Sequence, residues 1–163
     1  MEHFVSNNQG HVIVVSSLSG RIGTPISSSY SATKFALHGY FDALRSEVSK
    51  THNIHISLVC PGPVVSEISQ HTIRDPTLPV QSEGGKMSTS RCAYLMAKAM
   101  YYKFNEPWIS DQPFLLATYI SVYLPAVNRK LMTSVIGPSR IKTLTTGGDI
   151  WDISSNFVGT STK

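Results

Sequence analysis

Hydrophobic residues come first in this chain as short β-branched runs bounded by Gly, Pro and Ser, and then in three- and four-residue steps. From Gly10 the chain reads Gly-His-Val-Ile-Val-Val-Ser-Ser, a continuous apolar run closed by Ser16 and Ser17. Continuity rather than alternation predicts a buried strand of a parallel sheet. Residues 21–29 hold Gly23, Pro25 and three serines, and read as a loop. Beyond them Tyr30, Lys34, Leu37, Phe41, Leu44 and Val48 recur with helical spacing, which predicts one stripe of a helix ending near Lys50. Gly39 inside that helix costs about 1 kcal/mol against alanine, so it reads as a point of close packing against a neighbour. The run from Ile54 to Cys60 is again strand-like and stops at Pro61-Gly62-Pro63. Strand, helix, strand in this order predicts a right-handed crossover onto a parallel sheet, and an α/β fold.

Farther along, residues 64–87 include Pro76, Pro79, Gly84 and Gly85 and read as a long irregular loop with at most one short helix. Ser88 or Thr89 can cap a helix whose positions Cys92, Leu95, Met96, Ala99 and Met100 share a face. Trp108 and Ile109 predict a brief third strand. The apolar stretch from Phe114 to Leu124 has 11 residues, too short to span a bilayer, which takes about 20. An ordinary core helix and the wall of an apolar pocket both account for it. The division this predicts is one α/β domain over residues 1–150 and a polar tail over 151–163.

Composition narrows the function. The 163 residues fit one domain. Charged residues make up only 15% and net +4, while 23 Ser and 13 Thr supply much of the polar surface. That balance excludes a charge-driven disordered tail and a polybasic nucleic-acid binder. Cys60 and Cys92 form no Cys-x-x-Cys pair, and no His-x-x-x-His spacing occurs, so a disulfide framework or zinc site is not expected. Both thiols read as small core residues. The opening Met-Glu-His-Phe-Val-Ser-Asn-Asn has no apolar core of a signal peptide.

The candidate chemistry sits at strand ends. Tyr30 and Lys34 lie one helical turn apart. Ser17 precedes Tyr30 by 13 residues at the carboxyl end of the first strand, the rim where open α/β sheets bind ligands, and Pro61-Gly62 closes the next strand at the same rim. Singly, each has a structural explanation: a strand-closing serine, a turn, a tyrosine packed with its hydroxyl on a neighbour. Jointly, Gly10-His-Val-Ile-Val-Val-Ser-Ser17, Tyr30-Ser-Ala-Thr-Lys34 and Cys60-Pro-Gly-Pro-Val-Val-Ser66 resemble the short-chain dehydrogenase/reductase superfamily. Lys86-Met-Ser-Thr-Ser-Arg-Cys92 and Trp108-Ile-Ser-Asp-Gln-Pro-Phe-Leu-Leu116 look like one branch of it. The resemblance runs from about Gly10 to about Gly147.

The resemblance implies a doubly wound Rossmann-type parallel sheet and hydride transfer between NADP(H) or NAD(H) and a carbonyl or alcohol of an apolar substrate. Tyr30 would be the acid/base, Ser17 would hold the substrate oxygen, and Lys34 would bond the nicotinamide ribose. A tyrosine hydroxyl ordinarily titrates near ~10, and a lysine ammonium close by stabilises the phenolate. Pro61, Gly62 and the backbone of Val64 would face the nicotinamide, with Ser66 where members often carry threonine. The family's opening Gly-x-x-x-Gly-x-Gly turn, which holds the pyrophosphate, has no counterpart among these glycines. The chain therefore reads as the latter portion of that fold, a fragment, splice form or degenerate copy, and on its own is expected not to bind nicotinamide cofactor measurably and to be inactive. The strand from Val12 to Ser16 is expected to expose an unpaired edge and an apolar face. The alternative function is a non-catalytic module that pairs with another subunit through the Tyr30–Lys50 helix, since that helix contributes to dimer interfaces in the family. A peripheral membrane contact through residues 114–124 with Arg129, Lys130, Arg140 and Lys142 is a third expectation. The family branch implies the endoplasmic reticulum membrane; with neither signal nor anchor in the sequence, the cytoplasm is the alternative.

Overall fold

Three parallel strands in the order β1-β2-β3 organise the chain in a computed structural model that describes residues 1–67 and 85–146. A short helix α1 (Glu2–Ser6) leads into β1 (Gly10–Val15), a 3-10 turn at Leu18–Gly20, and α2 (Ser28–Val48). Then follow β2 (Ile54–Pro61), α3 (Thr89–Tyr101), β3 (Trp108–Ile109), α4 (Phe114–Tyr123), α5 (Pro125–Leu131), a π turn (Met132–Ile136) and α6 (Gly137–Thr145). The α/β class and all three expected strands are present. The predicted polar tail and most of the predicted loop at 64–87 lie outside the described residues.

Strand register decides which side chains face which layer. Gly10 pairs with Ile54 and Val15 with Val59, while Cys60 pairs with Trp108. Side chains alternate across a sheet. Val12 and Val14 of β1 thus join Ile54, Ile56 and Leu58 of β2 under Phe41, Leu44 and Val48 of α2. On the other face Val59 packs with Met87, Cys92, Leu95, Met96 and Ile109, beneath α3. The two faces are covered unequally: α3 reaches β2 and β3, whereas Ile13 and Val15 of β1 stay open, Val15 at 48% exposure.

The edge of β1 is open too. The N–H groups of Gly10 and Ser16 donate to Asn53 and Val59, so the even-numbered residues turn their backbone groups toward β2. His11, Ile13 and Val15 therefore present theirs to the far side, where the described residues supply no strand. On β2 the corresponding groups are used. Leu58 N–H donates to Asn105 O at 2.8 Å and Cys60 N–H to Pro107 O at 2.9 Å. Where β3 has not yet begun, the Arg45 guanidinium covers the carbonyl of Ile56 at 3.1 and 3.2 Å.

The helices depart from the expected pattern in two places. In α2 the predicted stripe meets the sheet through Phe41, Leu44 and Val48, Ser31 and His38 are buried beside it while Tyr30 is half exposed, and the helix starts two residues earlier than its apolar spacing showed. Gly39 does not mark close packing: a Cβ built there meets nothing within 4 Å. The helix α3 keeps the predicted cap, with Ser88 Oγ accepting from Arg91 N–H at 3.4 Å. Cys60 and Cys92 are both buried and unpaired with each other. The segment from Phe114 is helical but is not a core helix, since only Thr118 of α4 is buried.

Candidate active site

At the carboxyl end of β1 the chain turns sharply, and Ser17 closes the strand by capping the 3-10 turn. Its Oγ accepts from Ser19 N–H at 3.1 Å and donates to Pro61 O at 3.3 Å. That second bond ties the end of β1 to the end of β2. Ser17 is buried, as is Ser16. The loop that follows carries Ile26 at φ 72°, a backbone region that β-branched residues rarely enter, and delivers the chain into α2.

Two turns of α2 then face the rim. Tyr30 stands in the first turn with nearly half of its surface exposed, and Lys34 follows one turn later with its Nζ 5.6 Å from the centre of the Tyr30 ring. The Lys34 ammonium donates to Val15 O at 3.0 Å. That carbonyl is one of those facing the open edge of β1, so Lys34 covers an edge group that no strand covers. Ser17, Tyr30 and Lys34 are thus gathered around the carboxyl end of β1.

The end of β2 supplies the remaining predicted residues. Gly62 N–H donates to Ile109 O at 2.8 Å. A Cβ on Gly62 would stand 2.7 Å from the Ser110 Cβ and 3.2 Å from Leu18, so only glycine lets the two strand ends close here. Val64 bridges Met87, and the exchange of Val65 N–H to Met87 O and Met87 N–H to Pro63 O, both at 2.9 Å, leads the chain away from Pro61. Ser66 lies just beyond, at the last described residues before position 68.

Beneath this rim lies a polar cluster that apolar spacing did not reveal, because its members come from four distant segments. The Arg21 guanidinium forms a bidentate pair with Glu106, with Nε to Oε1 at 2.6 Å, and Trp108 Nε1 donates to the same carboxylate at 2.8 Å. Burial alone pushes the Glu106 carboxyl up, but the bonds from Arg21 and Trp108 outweigh it and hold it below the usual range. Arg21 also faces Asp42 at 3.5 Å, and Asp42 pairs with Arg45 at 2.6 Å. His38 Nε2 lies 3.7 Å from Cys60 Sγ. Burial, then the nearby Arg21 charge, lowers the His38 imidazole, and burial with the Glu106 charge pushes the Cys60 thiol up to about 12. Donor atoms of His38, Cys60 and Glu106 fall within 4.8 Å of one another. Arg21 already supplies the positive charge that this carboxylate attracts, so the trio reads as a strut from α2 to the strand ends.

Comparison with known proteins agrees with this architecture. Residues 1–77 match the family described as short chain dehydrogenase. The human protein named dehydrogenase/reductase SDR family member 7 is 37% identical over 153 residues, covering 91% of this chain and 45% of its own length. The mouse protein of the same name is 37% identical over 129 residues, covering 77% of this chain and 38% of its own length. A short chain dehydrogenase from Burkholderia cenocepacia, solved with NADP, superposes with a TM-score of 0.62 at 22% identity, covering 80% of this chain and 50% of that one. The chain spans less than half the length of these curated relatives.

Proposed function

The chain belongs to the short-chain dehydrogenase/reductase superfamily, and from that membership we propose that its rim performs the proton-handling half of a nicotinamide-dependent carbonyl reduction or alcohol oxidation. The observation that carries this reading is the gathering of Ser17, Tyr30 and Lys34 around one strand end, joined to Pro61 through the Ser17 hydroxyl. In the reductive direction Tyr30 Oη gives its proton to the carbonyl oxygen, and Ser17 Oγ orients that oxygen by a hydrogen bond. The Lys34 ammonium stabilises the phenolate that remains, and in doing so exchanges its bond to Val15 O for one at the site. The substrate class is an apolar ketone or the matching alcohol.

The cofactor this requires is NADP(H) or NAD(H), and the residues present fit one end of it. The exposed Tyr30 hydroxyl, the Lys34 ammonium and the backbone at Pro61, Gly62, Val64 and Ser66 can meet the ribose and nicotinamide. When bound, the nicotinamide supplies or takes up the hydride. Because the described residues offer hydrogen-bonding groups to that end, the test uses millimolar cofactor. Purified chain is incubated with reduced cofactor and a panel of apolar ketones, and cofactor oxidation is followed. Against the expectation of an inactive isolated chain, this reading calls for slight turnover at that concentration, falling at least ~100-fold in Tyr30→Phe, the scale of losing a general acid. Turnover unchanged in that variant would overturn the assignment.

A second reading rests on the open edge of β1: the chain as a non-catalytic module whose strand edge and α2 pair with another subunit. No change in cofactor fluorescence on adding chain, together with a gain in native mass on mixing with a full-length relative, would favour it over the first.

A further inference from the structure

Among the cations of the later helices, Arg129, Lys130 and Lys142 are exposed and Arg140 is buried, a correction to its expected place at a surface. No described helix is long and apolar enough to cross a membrane. The cations of α3 differ from these in having a groove beside them. Arg91 and Lys98 are seven residues apart, which sets them within about 20° of one line along the helix and about 10 Å apart on its axis. Leu95 lies between them on the same flank, and Ala99, a step farther round, is buried. A groove of about 300 Å³ separates this flank from β3, lined on the helix side by Leu95, Ala99 and the two cations and on the other by Trp108, Ile109 and Ser110. Arg91 has Asp111 at 3.7 Å, while Lys98 makes no ion pair among the described residues, so the groove keeps a net positive charge.

The strand side of this groove is an unfinished sheet edge. Cys60 and Gly62 donate to the carbonyls of Pro107 and Ile109, and a trans peptide turns the following N–H the opposite way. The N–H groups of Trp108 and Ser110 thus face away from β2, and among the described residues neither has a partner. They stand about 7 Å apart, the two-residue repeat at which an extended chain presents carbonyls along one edge. We propose that an acidic peptide docks here in extended form and adds a strand to the free edge of β3. Its carbonyls accept from Trp108 and Ser110, its apolar side chains cover Leu95 and Ala99, and its carboxylates meet Arg91 and Lys98. A free edge beside a helix flank is the geometry of strand addition, in which main-chain bonds hold the peptide and the groove selects its side chains. Charge decides the occupant. A second copy pairing antiparallel across a two-fold axis would bring its own Arg91 and Lys98 to the same face, four cations against two Asp111 carboxylates. A small free carboxylate would satisfy the cations and leave the strand edge unpaired.

The test is fluorescence anisotropy of a short labelled peptide of alternating glutamate and valine, titrated with the full chain beside the same peptide with lysine in place of glutamate. Only the acidic peptide is expected to bind, and more weakly as salt is raised. The pair Arg91→Gln and Lys98→Gln should weaken binding about tenfold, roughly threefold for each exposed charge. Arg129→Gln with Lys130→Gln, the same loss of charge on α5, should leave it unchanged. In the complex, exchange of the Trp108 and Ser110 amides should slow at least about tenfold, while that of Ile109, already turned toward β2, changes little. Equal binding of the two peptides, or none of either, overturns the proposal. So does binding that leaves the Trp108 and Ser110 amides unprotected, which would assign the cations to a free anion. Self-association of the chain that Ser110→Pro abolishes would overturn it as well, giving the edge to a second copy.

Discussion

β1 and β2 run side by side in register for six residue pairs, with closely similar β-branched sequences, yet their surroundings differ almost completely. Ile56, Leu58, Val59 and Cys60 of β2 are sealed on both faces and both edges. In β1, Ile13 and Val15 remain open on one face, and alternate backbone groups face no partner strand among the described residues. What a strand contributes to stability is set by its place in the sheet more than by its residues. The predicted rim chemistry sits where these two strands end, one held firmly and one held on a single side.

Substitution at matched positions tests this contrast most strongly. Leu58→Ala removes a side chain at 0% exposure and is expected to cost about 3 kcal/mol in urea unfolding, against under about 1 kcal/mol for Ile13→Ala. Equal losses would show that β1 is covered in solution. Next in size is Gly62→Ala, whose Cβ meets Ser110 and Leu18 at the closure of the two strand ends; a loss of about 2 kcal/mol is expected, and an unchanged unfolding midpoint would mean that the ends do not close so tightly.

Acid should act unevenly as well. Burial is the largest cause of the lowered values at His11, His38 and His55. A group whose folded value is depressed contributes stability above its ordinary value, here ~6.5, and loses it as pH falls through the folded value. Glu106, held below its ordinary 4.5, adds a further loss at still lower pH. Urea midpoints measured from pH 7.5 downward should therefore begin to fall below ~6.5, and His38→Gln should flatten the curve more than His11→Gln, because His38 lies under the sealed face. The reverse order would break the comparison. The smallest effect expected is a gain: Gly39→Ala on the open side of α2 should stabilise by about 1 kcal/mol, and a loss there would reveal a neighbour.

These contrasts also explain what the sequence could and could not reveal. Continuous runs such as His11–Val15 and Ile54–Cys60 read as parallel strands because covered strands need no alternation, and the Ser88 cap and the brief β3 were legible for equally local reasons. Continuity alone reads β1 as buried, because periodicity records what a strand can bury and not what is beside it; its open edge and apolar face were expected only from the resemblance, and both are present among the described residues. Ser17, Tyr30, Lys34 and Pro61–Gly62 were found through spacing within a resemblance. The Arg21–Glu106 pair and the His38–Cys60 contact were not, since each joins segments far apart in the chain whose pairing no local pattern encodes. In α2 the apolar stripe correctly put Phe41, Leu44 and Val48 on the sheet but gave no sign that the polar Ser31 and His38 are buried too.

The alternation along β1 gives it a two-beat record in hydrogen exchange. The amides of Val12 and Val14 point into the ladder with β2, while those of His11, Ile13 and Val15 point away from it. Within one strand, neighbouring amides should exchange with solvent at rates set by which way each faces, slow and fast by turns. A ligand or subunit that settles along the open edge would slow the fast set and leave the slow set nearly as before, so the identity of the amides that change would tell which edge had been covered.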